Sequence, residues 1–140
     1  MTRFVVDASV AVKWFLPEAY SEDALRLLRE EHTLLAPDLL WAEVGNILWK
    51  RKRRNELSVE GGLAILRDLR RLPLQIHSCD DLADRAWDIA NSRDRSFYDS
   101  LYMALSHHQD CPMVTADSKL FNAMGGAASG LLWVEDIPAK

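Results

Sequence analysis

Apolar residues follow two rhythms along this chain. Phe4, Val5 and Val6 form a compact β-prone run, which predicts a short buried strand over residues 3–7. From Ala8 the spacing turns helical and stops at Leu16, before Pro17. Ser21 is placed to cap a second helix, SEDALRLLREEH, with Glu22 and Asp23 in the first turn, where the helix dipole favours acids. TLLA, residues 33–36, reads as a second strand. Asp38 follows Pro37 and is placed to cap a long helix, DLLWAEVGNILWKRKRR, and Ser58 opens another that runs to about Arg71. LPLQIH reads as strand, residues 79–93 and 96–109 as two helices, and PMVTA as strand. A short helix follows Asp117, and GGAASG is a loop leading to a last strand, LLWVED.

Strands alternating with helices predict an α/β fold with a parallel sheet covered by helices on both faces. Neither repeats nor a linker interrupt residues 1–140, so one domain is expected. The composition, 49% apolar and 27% charged, is that of an ordinary globular protein. Asp7 and Lys13 break the N-terminal apolar run, so it is a poor signal peptide, and no run reaches membrane-spanning length. Cys79 and Cys111 are far apart and in no metal-binding spacing, which suits a reduced cytoplasm.

Four acids sit where acids are costly. Asp7 falls at the end of the first strand and Asp117 just past another, and in open parallel sheets the working crevice lies beyond the carboxyl ends of the strands. Each is equally suited to cap the helix that follows. Glu43 falls inside a stripe made by Leu39, Leu40, Val44, Ile47 and Leu48, where an ionised carboxylate needs a partner or a metal; at the stripe's edge it would simply reach solvent or an arginine. Asp99 stands three residues after Ser96, the spacing of a capping box, yet Tyr102 and Met103 beside it mark a partly buried face.

Two of the acids are at strand ends and two are on helices that would pack beside the crevice, which suggests one acidic pocket. A pair of carboxylates 4 Å apart repels by about 4 kcal/mol at an effective dielectric near 20, so a cation is expected among them. Oxygen donors without a usable histidine or cysteine point to Mg²⁺ or Mn²⁺. His107 and His108 diverge by about 100° on a helix, and His32 and His77 are isolated. The chemistry this suggests is metal-assisted phosphodiester hydrolysis.

With VVDASVAVKWF at the start, the acid in LLWAEVGNILWK, then SFYDSLYMALS, and VTADSKL before the last strand, the chain resembles the PIN-domain ribonucleases, and specifically the VapC-type toxins of toxin–antitoxin pairs. The resemblance spans nearly the whole length. It implies a three-layer α/β/α sandwich, a metal site of Asp7, Glu43, Asp99 and Asp117, and Ser9 and Thr115 as the small polar residues that accompany the first and last acids. It also implies RNA cleavage with Mg²⁺ or Mn²⁺, a homodimer, and an antitoxin whose tail enters the active-site groove. No membrane partner is expected.

The formal charge of −4 means that any grip on RNA must be local. Lys50, Arg51, Lys52, Arg53 and Arg54 form the one dense basic run, and Arg93 and Arg95 lie just ahead of Asp99. These are the candidate phosphate contacts, although cations are also favoured at any helix C-terminus. Trp14, Trp41 and Trp49 suit base stacking, an interface or the core. Rival readings are an aspartyl phosphotransferase, a receiver-like signalling module, a protein-binding module, and a PIN nuclease outside a toxin pair. The first wants a second Asp two positions after Asp7, where this chain has Ser9.

Overall fold

The computed structural model describes residues 2–138. Five strands, β1 (Thr2–Val6), β2 (His32–Pro37), β3 (Gln75–His77), β4 (Met113–Thr115) and β5 (Leu131–Trp133), form one sheet. All pairings are parallel, in the order β3-β2-β1-β4-β5. The helices between them are α1 (Ala8–Ala11), α2 (Ser21–Leu25), α3 (Leu39–Arg53), α4 (Val59–Arg71), α5 (Cys79–Arg93), α6 (Phe97–Gln109) and α7 (Ser118–Ala123).

The strand order reverses at β1. From β1 the chain steps outward through β2 to β3, then returns to the other side of β1 for β4 and β5. Because crossovers between parallel strands are right-handed, α1 to α4 cover one face of the sheet and α5 to α7 the other. The packing agrees: α3 lies against α1, α4 and β2, and α6 against α5, β1, β2 and β4. This is the expected α/β/α layering. Its crevice falls between the carboxyl ends of β1 and β4, where the sheet's winding reverses.

The centre of the sheet is closed to water. Phe4, Val5, Val6, Leu35, Met113 and Val114 are buried, which is why these strands read as unbroken apolar runs and not as alternating ones. Leu40, Val44 and Leu48 form the buried row of α3. Leu39, Glu43 and Ile47 form the neighbouring row, only half-buried and turned to the crevice. The single stripe expected from the sequence is therefore two rows, and Glu43 belongs to the one that faces the crevice.

Several local expectations are corrected. Ser21 does not cap α2: its hydroxyl donates to Leu16 O at 2.9 Å and accepts from Glu18 N at 3.0 Å, and Tyr20 precedes the helix at φ 68°. That helix ends at Leu25 and tightens into a 3₁₀ turn over Arg26–Leu28. Asp38 takes the αR conformation, which aims its carboxylate away from α3; Oδ1 accepts from the Cys79 N–H at the start of α5 instead. Ser58 caps α4 as expected, accepting from Gly61 N. GGAASG contains a 3₁₀ turn, Gly126–Ser129, and the last strand ends at Trp133. Both cysteines are free thiols. No described helix is long and apolar enough to cross a membrane.

Candidate active site

Asp7 is the N-cap of α1, directly after the central strand, and is only 7% exposed. Its Oδ1 accepts from the Ser9 hydroxyl at 2.6 Å and the Val10 N–H at 3.1 Å, and its Oδ2 from the Thr115 hydroxyl at 2.7 Å. The same two hydroxyls also accept. Ser9 Oγ takes the Ala116 N–H at 3.2 Å, and Thr115 Oγ1 takes the Asp117 N–H at 3.1 Å. The turn after β1 is thus tied to the turn after β4, and a carboxylate fixed in this way keeps its geometry. Asp117 caps α7 through Oδ1, which accepts from Lys119 N and Leu120 N. Capping and crevice placement hold together for both residues.

Glu43 reaches the crevice from α3 and Asp99 from the first turn of α6, so the four acids come from four separate elements. Ser96 caps α6 by accepting the Asp99 N–H at 3.0 Å, one half of the capping box that its spacing suggests. Burial pushes the Asp7 carboxyl up to about 6, opposed by the hydrogen bonds from Ser9, Thr115 and Val10 and reinforced by the Asp99 charge. Burial likewise raises Glu43, against the pull of Tyr102, and Asp99 adds to the rise. Asp99 is raised by burial and then by Asp117, with Ser96 and Arg95 lowering it. Asp99 therefore senses or acts on each of the other three. The Tyr102 hydroxyl is buried near Glu43 without a hydrogen bond of sound geometry, and its own ionisation is pushed far up.

These groups line a cleft of about 530 Å³ that holds Asp7, Ser9, Glu43, Asp99 and Asp117, with Tyr102 in its wall. Among the described residues, no three His, Cys, Asp or Glu side chains come close enough together to hold a metal ion among them. The acids ring the cleft instead. That donor set still fits a hard divalent cation: it is all oxygen, no histidine or cysteine enters it, and Mg²⁺ usually keeps several waters with only one or two carboxylates as direct ligands. Carboxylates raised by burial and mutual repulsion are those that a cation would stabilise in the charged form.

The basic candidates separate. Lys50 lines the cleft. Arg51 is drawn away into an ion pair with Glu18, which also holds Lys13, and reaches toward Glu56. Arg53 lies over the exposed Trp49 ring, 5.0 Å from its centroid, and Lys52 and Arg54 are exposed. Arg95 is close enough to Asp99 to lower its pKa, while the charge of Arg93 acts on His107 instead. Trp14 is in the core, donating its indole N–H to Ala24 O, and Trp41 packs partly against it. Asn46 and Tyr98 also line the cleft, and nothing in the sequence alone singles them out. The available signal is position: Asn46 and Lys50 follow Glu43 at i+3 and i+7 on one helix face, and Tyr98 adjoins Asp99.

The PIN domain family model matches residues 4–126. Ribonuclease VapC3 of Pyrobaculum aerophilum is 32% identical over 120 residues, covering 84% of this chain and 92% of that protein. Ribonuclease VapC1 of Mycobacterium tuberculosis is 36% identical over 130 residues, covering 89% and 93%. Among solved structures, the sarcin-ricin loop cleaving toxin VapC20 of M. tuberculosis superposes with a TM-score of 0.66 at 18% identity, over 88% of this chain and 95% of that one. A toxin–antitoxin complex from Klebsiella pneumoniae gives 0.65 at 14% identity, over 95% and 98%.

Proposed function

The chain belongs to the PIN-domain family, among the VapC ribonucleases, and from that membership we propose that it is an endoribonuclease that hydrolyses RNA phosphodiester bonds as the toxin of a toxin–antitoxin pair. One observation carries the reading: four carboxylates from four elements line a single cleft where the sheet's winding reverses. Asp7, Glu43, Asp99 and Asp117 are the residues that would hold Mg²⁺ or Mn²⁺. When bound, such an ion polarises a phosphoryl oxygen and makes water a better nucleophile at neutral pH.

The chain's own part is pre-organisation. Ser9, Thr115 and the Val10 N–H hold Asp7 against the repulsion of Asp99, so its oxygens need no rearrangement when substrate arrives. Lys50, and Arg95 near Asp99, supply positive charge beside a cleft that would otherwise repel a phosphate chain. Tyr102, buried in the wall of the cleft, shields the acids from water on that side, which strengthens the charge interactions there. As partners we propose an antitoxin whose arginine or lysine enters among the acids, and a second copy of the chain. The proposed setting is the cytoplasm.

The test is to incubate the purified, antitoxin-free chain with end-labelled single-stranded RNA and the matching DNA in Mn²⁺ and to analyse the product ends. Hydrolysis by water leaves no cyclic phosphate, so RNA fragments without 2′,3′-cyclic ends are expected. Cyclic-phosphate products, or no cleavage of RNA, contradict the reading.

A further inference from the structure

The cleft is larger than its acids require. Besides the four acids, Ala8, Ser9 and Tyr102, six further residues line it. The remaining arm is lined along α3 by Leu39, Ala42, Asn46, Ile47 and Lys50, and from α6 by Tyr98. No carboxylate is among these six. Along α3 the chemistry changes from charged acid at Glu43, to neutral amide one turn on, to cation after two turns, about 10 Å at 1.5 Å per residue. Tyr98 is 60% exposed, although Tyr102, one turn further along α6, is buried.

Each group matches one part of a nucleotide. An exposed aromatic face suits a base face, a side-chain amide can both donate to and accept from a base edge, and an ammonium suits a phosphate. The apolar Leu39, Ala42 and Ile47 give a floor that a base covers more readily than a hydrated phosphate does. We propose that this arm is a nucleotide subsite: Tyr98 stacks the base beside the bond to be cut, Asn46 hydrogen-bonds that base's edge, and Lys50 holds its phosphate. The proposal rests on the ribonuclease reading and assigns three residues within it. A base in a duplex is paired and stacked on both faces, so the nucleotide beside the scissile bond must be unpaired.

The test uses stopped-flow anisotropy, read before turnover, with a short labelled unstructured RNA and with the same backbone carrying an abasic nucleotide at each position. The wild-type chain should bind the intact RNA more tightly than the abasic backbone by the factor that a stacking platform supplies, about 5- to 150-fold. Tyr98→Ala should erase that difference while leaving affinity for the abasic backbone within about two-fold, and Tyr98→Trp should restore it. Lys50→Gln should weaken both oligomers alike. If Tyr98→Ala binds intact RNA as wild type does, or loses equally on both oligomers, the subsite is refuted while RNA cleavage by the same preparation can stand. If wild type binds neither oligomer, the ribonuclease reading fails with it.

Discussion

Asp7 titrates near 6 in the folded chain against an ordinary value of 3.8, so the folded state binds this proton more tightly than the unfolded one. Stability from this group is then complete below about pH 4 and lost as pH rises through 6, a difference of about 3 kcal/mol. Asn keeps the N-cap without the charge. Metal-free Asp7→Asn should therefore melt above the wild type at pH 7, and the gap should close toward pH 4. Adding Mn²⁺ should raise the wild-type melting temperature by mass action and leave the variant's unchanged. A variant that melts lower at pH 7, or responds fully to Mn²⁺, would show that Asp7 is structural. Thr115→Val removes the donor to Asp7 Oδ2 and strands the Asp117 N–H, at a cost of about 1–3 kcal/mol in chemical denaturation. It should also move the acid limb of the kcat/KM profile to higher pH, because one of the bonds that hold Asp7 charged is gone.

At the scale of elements, α3 carries both packing and chemistry, with Leu40, Val44 and Leu48 in the core and Glu43, Asn46 and Lys50 on the cleft. Gly45, in the middle of this helix, has open space where a Cβ would go. Gly45→Ala should therefore raise stability by about 0.5–1 kcal/mol and leave cleavage unchanged; a loss of stability would show that α3 must bend there. Elements with local signals are legible in the sequence. The starts of α4 and α6 follow from Ser58 and Ser96, each of which caps within three residues, and the structure shows Ser78 capping α5 in the same way. Asp38 and Ser21 mislead because their side chains are claimed elsewhere, Asp38 by a backbone N–H 41 residues away. Glu43 and Asp99 stand out because a carboxylate among apolar neighbours is costly, and Asp7 and Asp117 because they follow strands of a parallel sheet. Asn46 and Tyr98 do not, since an amide and an exposed ring look like ordinary surface until the cleft brings them together.

Over the whole molecule, a net charge of −4 and an acidic cleft oppose RNA at long range, so binding depends on a few cations beside the site. Arg51 is committed to Glu18, which leaves Lys50, Lys52, Arg53 and Arg54 as the part of the basic run available to phosphates. Replacing these four with Gln should weaken RNA binding across sequences and flatten the log–log salt dependence by roughly 0.7 for each phosphate that is no longer neutralised. An unchanged slope would return the run to a solvated helix end. That the four carboxylates together hold a divalent ion, one or two of them directly and the rest through its waters, and that this ion drives RNA hydrolysis, is tested most directly by the single-turnover cleavage rate of the purified chain. It should be measured in excess chelator, after Mn²⁺ is restored, and in Asp7→Asn, Glu43→Gln, Asp99→Asn and Asp117→Asn. Cleavage should stop in chelator, recover fully with Mn²⁺, and fall by about 10-fold or more in each variant, the least that loss of an outer partner brings. Cleavage that continues in chelator, or a variant of any of the four acids that cuts at the wild-type rate, would contradict it.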